Sequence, residues 1–289
     1  MTAYNREEFI GEAIESVLAS TFQDFELIIV DDCSTDNTRE IAKKYAEQNE
    51  KVSLYVNEVN IGQFKNRNKA VTYSKATYIK FFDSDDIMNN NLLAVTMDAM
   101  LTFHNASMGV ECTWPKILRE KLPVLFTSRE AYINHYFKGN DFLHFGPSSS
   151  ILKRSLFNET GGYDESIGIL ADTLLMLQMA AKSPVVGYEP NLFIWRRHEG
   201  QVTVEQDNYY LMFKQRHQIT SLILESACPL SAAEKNTVRQ NFKNIFIRNT
   251  FKYIKSIRNL QKLYNMFKIM EIKPADFFLA FFKNKIIQD

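Results

Sequence analysis

Two short apolar runs in the first third of the chain stop abruptly at carboxylates, and no other feature limits the fold so strongly. Residues 25–30 read FELIIV and run into Asp31 and Asp32; residues 78–82 read YIKFF and run into Asp83, Ser84, Asp85 and Asp86. Such runs are short for a helix and fit strands buried on both faces. Carboxylates at the end of a buried parallel strand mark the sheet edge where open α/β folds bind ligands. Phe9, Ile10, Ala13, Ile14, Val17 and Leu18 recur at helical spacing ahead of the first run. A helical pattern through Ile41, Ala42 and Tyr45, a strand over 52–56 and a helix over about 64–74 lie between the two runs. Strands spaced by helices predict βαβ units, an α/β fold with a mostly parallel twisted sheet flanked by helices. Asn5 and Glu8, three positions apart, form a plausible capping pair for the first helix.

Beyond residue 100 the pattern is less regular. Gly146 to Ser150 and Gly161-Gly162 punctuate the chain as turns. Residues 170–181 read as a helix, followed by short strands near 185–186 and 192–195. From about residue 207 the pattern is helical throughout, so the expected division is 1–206 for the α/β domain and 207–289 for a helical C-terminal region. The 289-residue chain balances 34 Lys and Arg against 34 Asp and Glu, which argues against nucleic acid as a partner. Cys33, Cys112 and Cys228 fit neither a metal pattern nor a disulfide framework, as expected for a reducing cytoplasmic setting. No apolar run is long enough to span a bilayer.

Each acidic cluster has an ordinary reading beside the functional one. Three carboxylates within four residues repel one another, and a divalent cation relieves that repulsion; a solvated turn capping the next helix is the alternative. Asp31-Asp32 can accept hydrogen bonds from a ligand, or merely cap the helix that follows Ser34. The Gly-rich dinucleotide fingerprint and the P-loop are both missing.

Taken in order, these elements resemble the signatures of family 2 glycosyltransferases. Ala3-Tyr4-Asn5, the stretch FELIIVDDCSTDNT over 25–38, Asn60-Ile61-Gly62 with Arg67-Asn68, and YIKFFDSDD over 78–86 follow in the family's order and spacing. The resemblance is strong over about 1–100 and moderate to about 205. It implies a GT-A fold whose residues 1–100 bind the nucleotide and whose residues 101–206 hold the acceptor. It implies an inverting transfer of sugar from a nucleotide-sugar, UDP-linked in the usual case, to an acceptor hydroxyl. Asp32 would bind the base, with Ala3 and Tyr4 packed near it. Asn60, Gly62 and Arg67 would border the nucleotide. Asp83, Ser84 and Asp86 would line the donor site, and Asp83 with Asp85 would match the family's D-x-D and hold Mn²⁺ or Mg²⁺. Gly161-Gly162-Tyr163-Asp164 matches a family element that precedes a Glu-Asp pair. Here Ala171-Asp172 stands in its place, so Asp172 is the candidate general base and the Glu is missing. His198, after Trp195-Arg196-Arg197, is a candidate third metal ligand, and Arg196 or Arg197 a candidate phosphate partner.

The implied partners are a nucleotide-sugar donor and a glycan or lipid-linked glycan acceptor, with surface-glycan assembly at the cytoplasmic face of a membrane as the setting. Residues 241–289 carry ten Lys or Arg against three acidic residues, interleaved with Phe, Ile and Tyr. That tail reads either as a peripheral membrane contact or as a helical face packed on its own domain or on a second copy in a homodimer. Two other functions remain open. Ala171 suits a non-catalytic nucleotide- or glycan-binding relative, and a sugar nucleotidyltransferase shares the fold type but needs a basic Gly-rich loop near the first strand. Because only three residues precede Tyr4, where the family carries a central strand, a truncated first strand is also expected.

Overall fold

The computed structural model describes every residue except 114–121, 139–141, 145, 199–208, 227, 253–259 and 283–289. The expected division at 206/207 falls outside the described residues, as do two segments of the 241–289 tail.

The first run of βαβ units folds as its pattern dictates. Strands β1 (Thr2–Ala3), β2 (Leu27–Asp31) and β3 (Val52–Val56) pair in parallel in the order β1-β2-β3. Helices α1 (Ile10–Leu18) and α2 (Thr38–Gln48) make the crossovers, and α3 (Gln63–Tyr73) follows β3. Ile10, Ala13, Ile14 and Val17 of α1 are buried because helical spacing sets them on one face. The expected capping pair does not form. Phe9 is the N-cap of α1 with no side-chain cap bond, and Asn5 takes a left-handed backbone with φ of 51°. The Asn5 side chain is committed elsewhere: its Oδ1 accepts from Thr35 N at 2.9 Å.

The second half adds β4 (Tyr78–Ile79), β6 (Met108–Glu111), β7 (Val124–Phe126), β8 (Ser150–Lys153) and β9 (Val185–Tyr188), in the order β4-β8-β6-β9-β7. Only β6 and β9 run parallel here; β8 and β7 pair antiparallel with their neighbours. The strand expected over 78–82 pairs as a ladder only at its first two residues, yet Phe81 and Phe82 are buried behind it. A parallel bridge between Thr2 and Asp83 then joins the two sheets. That bridge sets the second acidic cluster beside the first strand. After the cluster, β5 (Ile87–Met88) pairs with β10 (Phe193–Ile194). On the far side of β1, the Met1 ammonium donates to Ile28 O at 2.7 Å. A cavity of about 160 Å³ lies below it between β2 and β4, lined by Ile28, Val71, Ile79 and Phe81 among others.

Helix α7 (Ala171–Lys182) is buried on nearly every side and runs through the main core, beside α5 (Ser128–Phe137). Four helices complete the chain: α8 (Tyr209–Glu225), α9 (Ala232–Lys252), α10 (Leu260–Ile269) and α11 (Pro274–Phe282). Ile219, Ile223 and Leu224 of α8 and Val238 of α9 enter the main core, while Phe213, Phe246 and Met270 build a small core of their own. Within 241–289, Phe246, Ile247 and Met270 are buried, whereas Ile245, Tyr264 and Ile269 are exposed. Among the described residues no helix is long and apolar enough to cross a membrane.

The strand pair β6–β9 is tightly closed at Gly187, where a Cβ would lie 2.3 Å from Cys112 Sγ and 3.0 Å from the Phe126 ring. Gly187→Ala is expected to cost about 1–3 kcal/mol by overpacking, read as a lowered melting temperature. Cys112→Ala in the same chain is expected to recover part of the loss, and strictly additive losses would contradict this packing.

Candidate active site

The two acidic clusters meet at the carboxyl edge of β1 and β2, and each is folded by its own carboxylates. Asp31, the last residue of β2, accepts from Ser34 N at 2.9 Å and from Ser34 Oγ, closing a turn with Cys33 at φ 64°. Ser34 Oγ accepts in turn from Asn5 N at 3.0 Å, so the turns after β1 and β2 clasp each other. Asp32 faces the other way. Its Oδ1 accepts from Ile61 N at 2.9 Å and Asn57 Nδ2 at 2.8 Å, and its Oδ2 from Gly62 N at 2.9 Å. The 60–62 turn is thereby folded onto one buried carboxylate, with Gly62 at φ 85° where a left-handed backbone suits glycine. Asn66 of α3 locks the arrangement from below, donating to Val30 O at 2.9 Å and accepting from Asn57 Nδ2 at 3.0 Å. Neither Asp31 nor Asp32 caps α2, whose N-cap is Asn37. An ionised carboxylate has about four acceptor positions, so Asp32 retains room for a further donor. Ala3 is buried and gives its carbonyl to Asp32 N at 2.8 Å, whereas the Tyr4 ring stands 44% exposed at the edge.

The 83–86 turn is held by cations and a hydroxyl. Asp83 Oδ1 accepts from Arg67 Nη2 at 2.6 Å. Arg67 is itself buried, with its guanidinium 5.7 Å from the Phe64 ring and 6.0 Å from the Tyr163 ring, and its Nε has no acceptor among the described residues. Asp85 Oδ2 accepts from Arg6 Nε at 2.9 Å and meets His198 Nε2 at 3.0 Å. The His198 ring stacks on Phe9 at 4.3 Å between centroids. Ser84 and Asp86 are buried, and Asp86 accepts from Arg196 N at 3.2 Å and from Ser148 Oγ at 3.4 Å. Burial, reinforced by the charges of Asp83 and Asp85, pushes Asp86 up to about 7. The Arg196 head donates to the carbonyls of Asp85 and Phe9 and pairs with Glu12, so it braces the turn. Arg197 lies over the Trp195 ring at 4.9 Å. Arg6, Phe9 and Ser148 were not legible as site residues, because their partners in the site lie 62 or more positions away and their residue types are common.

These donors fit a hard divalent cation with help from a ligand. Asp85 and His198 bring a carboxylate oxygen and an imidazole nitrogen together, a set suited to Mn²⁺ or Mg²⁺ once phosphate oxygens complete the shell. Asp83 is on the same turn but tied to Arg67. Among the described residues no group of three or more His, Cys, Asp or Glu gathers as a metal cage. A cation here would therefore need further oxygen ligands from a bound molecule and would compete with Arg6 for Asp85.

Asp172 lies in the first turn of α7, where Oδ1 accepts from Thr173 N at 2.7 Å. Burial pushes its carboxyl from 3.8 up to about 6, opposed by the Thr173 bond and Arg67 and helped by Asp83. Asp164 instead caps the turn that follows it, accepting from Ser166 N at 2.9 Å. The Gly161-Gly162-Tyr163 segment is clamped to α3 by Asn68, which donates to Tyr163 O at 2.8 Å and accepts from Tyr163 N at 2.9 Å. That clamp ties the 161–163 turn to the first run of βαβ units. Ala171, where the resemblance leads one to expect an acid, is fully buried in the main core.

Residues 1–160 match the family model described as Glycosyl transferase family 2. The chain belongs to that family. It is 36% identical over 99 residues to TuaG of Bacillus subtilis, named for teichuronic acid biosynthesis, covering 34% of this chain and 39% of TuaG. It is 38% identical over 101 residues to WfgD of Escherichia coli, a UDP-Glc:α-D-GlcNAc-diphosphoundecaprenol β-1,3-glucosyltransferase, covering 35% of this chain and 39% of WfgD. The matched stretch thus spans about two fifths of these relatives' lengths. Residues 1–349 of S. aureus TarS, solved with UDP-GlcNAc, superpose with a TM-score of 0.72 at 19% identity, over 96% of this chain and 79% of that one. The fold of this family 2 chain is accordingly the GT-A fold.

The raised Asp172 carboxyl has a stability consequence in the metal-free family 2 chain. A carboxyl whose folded value exceeds its unfolded value binds more protons when folded, so its contribution is complete below pH 4 and is lost as pH rises through 6. Asp172→Asn is expected to flatten that fall and to raise stability at pH 7–8 by about 2 kcal/mol, measured by denaturant titration across pH 4–8. A variant with an unchanged pH profile would contradict the burial of this carboxyl.

Proposed function

We propose that the chain transfers a sugar from a UDP-sugar to an acceptor hydroxyl with inversion at the anomeric carbon. The observation that carries this reading is the pairing of Asp32 with its folded 60–62 turn and of Asp85 with His198 at the ends of neighbouring strands, with Asp172 within electrostatic reach of Arg67 and Asp83. Family membership and the UDP-GlcNAc complex of TarS support a uridine nucleotide-sugar as donor. In this reading the nucleoside lies against the exposed Tyr4 ring and the 60–62 turn, and Asp32 receives a donor from the base. Arg67 and Arg6 lie beside Asp83 and Asp85 and face the diphosphate charge. Asp85 and His198 would hold Mn²⁺ or Mg²⁺, whose charge offsets that of the departing nucleoside diphosphate. Asp172 accepts the proton of the acceptor hydroxyl while the hydroxyl oxygen forms the new bond to the anomeric carbon; the bond to the diphosphate breaks and its electron pair leaves with the nucleotide. A value near 6 leaves Asp172 mostly ionised at neutral pH and basic enough to take that proton.

The lipid-linked acceptor in the name of WfgD supports a glycan or lipid-linked glycan acceptor for this chain, used at the cytoplasmic face of a membrane. The ten basic residues of 241–289 suit an anionic surface there. A second reading, a binding protein without transfer activity, rests on the buried Ala171 alone. Release of UDP from UDP-sugars in the presence of acceptor separates the two.

Asp172→Asn is expected to lower turnover by about 10²–10⁴-fold with UDP affinity within a few-fold of the parent. Asp85→Asn is expected to weaken Mn²⁺-dependent UDP binding by at least about 10-fold, measured by calorimetry. Normal turnover in the first variant would place the base elsewhere, and unchanged metal dependence in the second would remove Asp85 from the metal site.

A further inference from the structure

Lys80 interrupts an otherwise apolar run, YIKFF, and its ammonium is buried beneath the acidic turn. A buried ammonium is unfavourable unless its donors find acceptors and its charge a counter-ion. Lys80 Nζ donates to Ser148 O at 2.8 Å and to Ser150 O at 3.2 Å. The carbonyl between them, Ser149 O, accepts from Tyr188 Oη at 2.7 Å. Two buried side chains therefore hold three consecutive carbonyls of the turn at 148–150. Glu111 supplies the counter-charge. It is 5% exposed, accepts from the backbone of Leu192, and its Oε1 has no hydrogen-bond partner among the described residues. Burial lowers Lys80 to about 7 and raises Glu111 to about 6, each restrained by the other's charge.

What that turn holds is the acidic cluster itself. Ser148 Oγ accepts from Asp83 N at 3.3 Å and donates to Asp86 Oδ2 at 3.4 Å. Asp83 and Asp86 flank Asp85, and no other described side chain hydroxyl touches them. We infer that Lys80, with Glu111 and Tyr188, is a positioning residue: it fixes the 148–150 turn so that Ser148 aims the 83–86 carboxylates at donor and cation. The inference rests on the proposed donor site but is read without it as well.

The test compares the parent chain with Tyr188→Phe and with the charge-free pair Lys80→Met/Glu111→Gln. Hydrogen exchange of the peptide over 81–88 is followed without ligand, and UDP affinity is measured with Mn²⁺. Removing both buried charges together is expected to leave the melting temperature near that of the parent. Exchange over 81–88 is expected to accelerate, and Mn²⁺-dependent UDP affinity to fall about 10-fold. Tyr188→Phe removes one hydroxyl and is expected to shift both readings by a few-fold in the same direction. Parental exchange in either folded variant overturns the inference, and if the charge-free pair does not fold, Tyr188→Phe decides alone. If the parent chain binds no UDP, the donor-site reading fails while the exchange comparison still judges the role of Lys80.

Discussion

The Asp32 carboxylate is the point on which the first run of βαβ units depends. It sits one residue beyond β2, buried, and collects three N–H donors from the segment that leaves β3. Without those bonds the 60–62 turn would lose its anchor, and α3 begins directly after it. Through α3 the same anchor places Arg67 against Asp83 and Asn68 against Tyr163. One carboxylate thus sets the geometry of the 60–62 turn, the acidic cluster and the 161–163 turn. Buried hydrogen bonds to an ionised group contribute roughly 1.5–3 kcal/mol each, so this anchor is stiff as well as central.

Around it the charges are arranged before any ligand arrives. Asp83, Asp85 and Asp86 crowd one turn, and burial together with the charges of the other two raises the Asp86 carboxyl. Arg67, Arg6 and His198 answer that charge by direct contact with Asp83 and Asp85. Under the proposed function, a cation at Asp85 would displace Arg6, whose guanidinium would then face phosphate. Electrostatic preorganisation of that sort costs little rearrangement at the moment of reaction. It also explains why so much of the surrounding structure, from the Phe9–His198 stack to the Arg196 brace, serves to keep β10 and the residues after it against α1.

How far the sequence foretold this depends on the range of the forces involved. The strands β2 and β3 and the helices α1, α3 and α7 were legible because their burial is periodic or continuous over their own length. The antiparallel β7 and β8 were not, since short strands between Gly, Pro and Ser turns carry no period of their own. Asp32, Asp83, Asp85 and Asp172 were visible as strand-end or helix-start carboxylates with a family resemblance behind them. Arg6, Ser148 and Lys80 were not, because their roles arise from partners on elements distant in the sequence. Asn5 was misread as a cap for a similar reason: a local capping pattern lost to a tertiary clasp with Thr35.

The central claim is that a divalent cation and a nucleoside diphosphate meet at the Asp85–His198 pair. Anomalous diffraction at the manganese edge, from crystals grown with UDP and Mn²⁺, tests it most directly. One anomalous peak bonded to Asp85 and His198 and to the diphosphate, with the uracil against the 60–62 turn, is expected. A manganese peak away from Asp85, or UDP ordered at this edge with no peak beside it, would rule out a metal site at the Asp85–His198 pair.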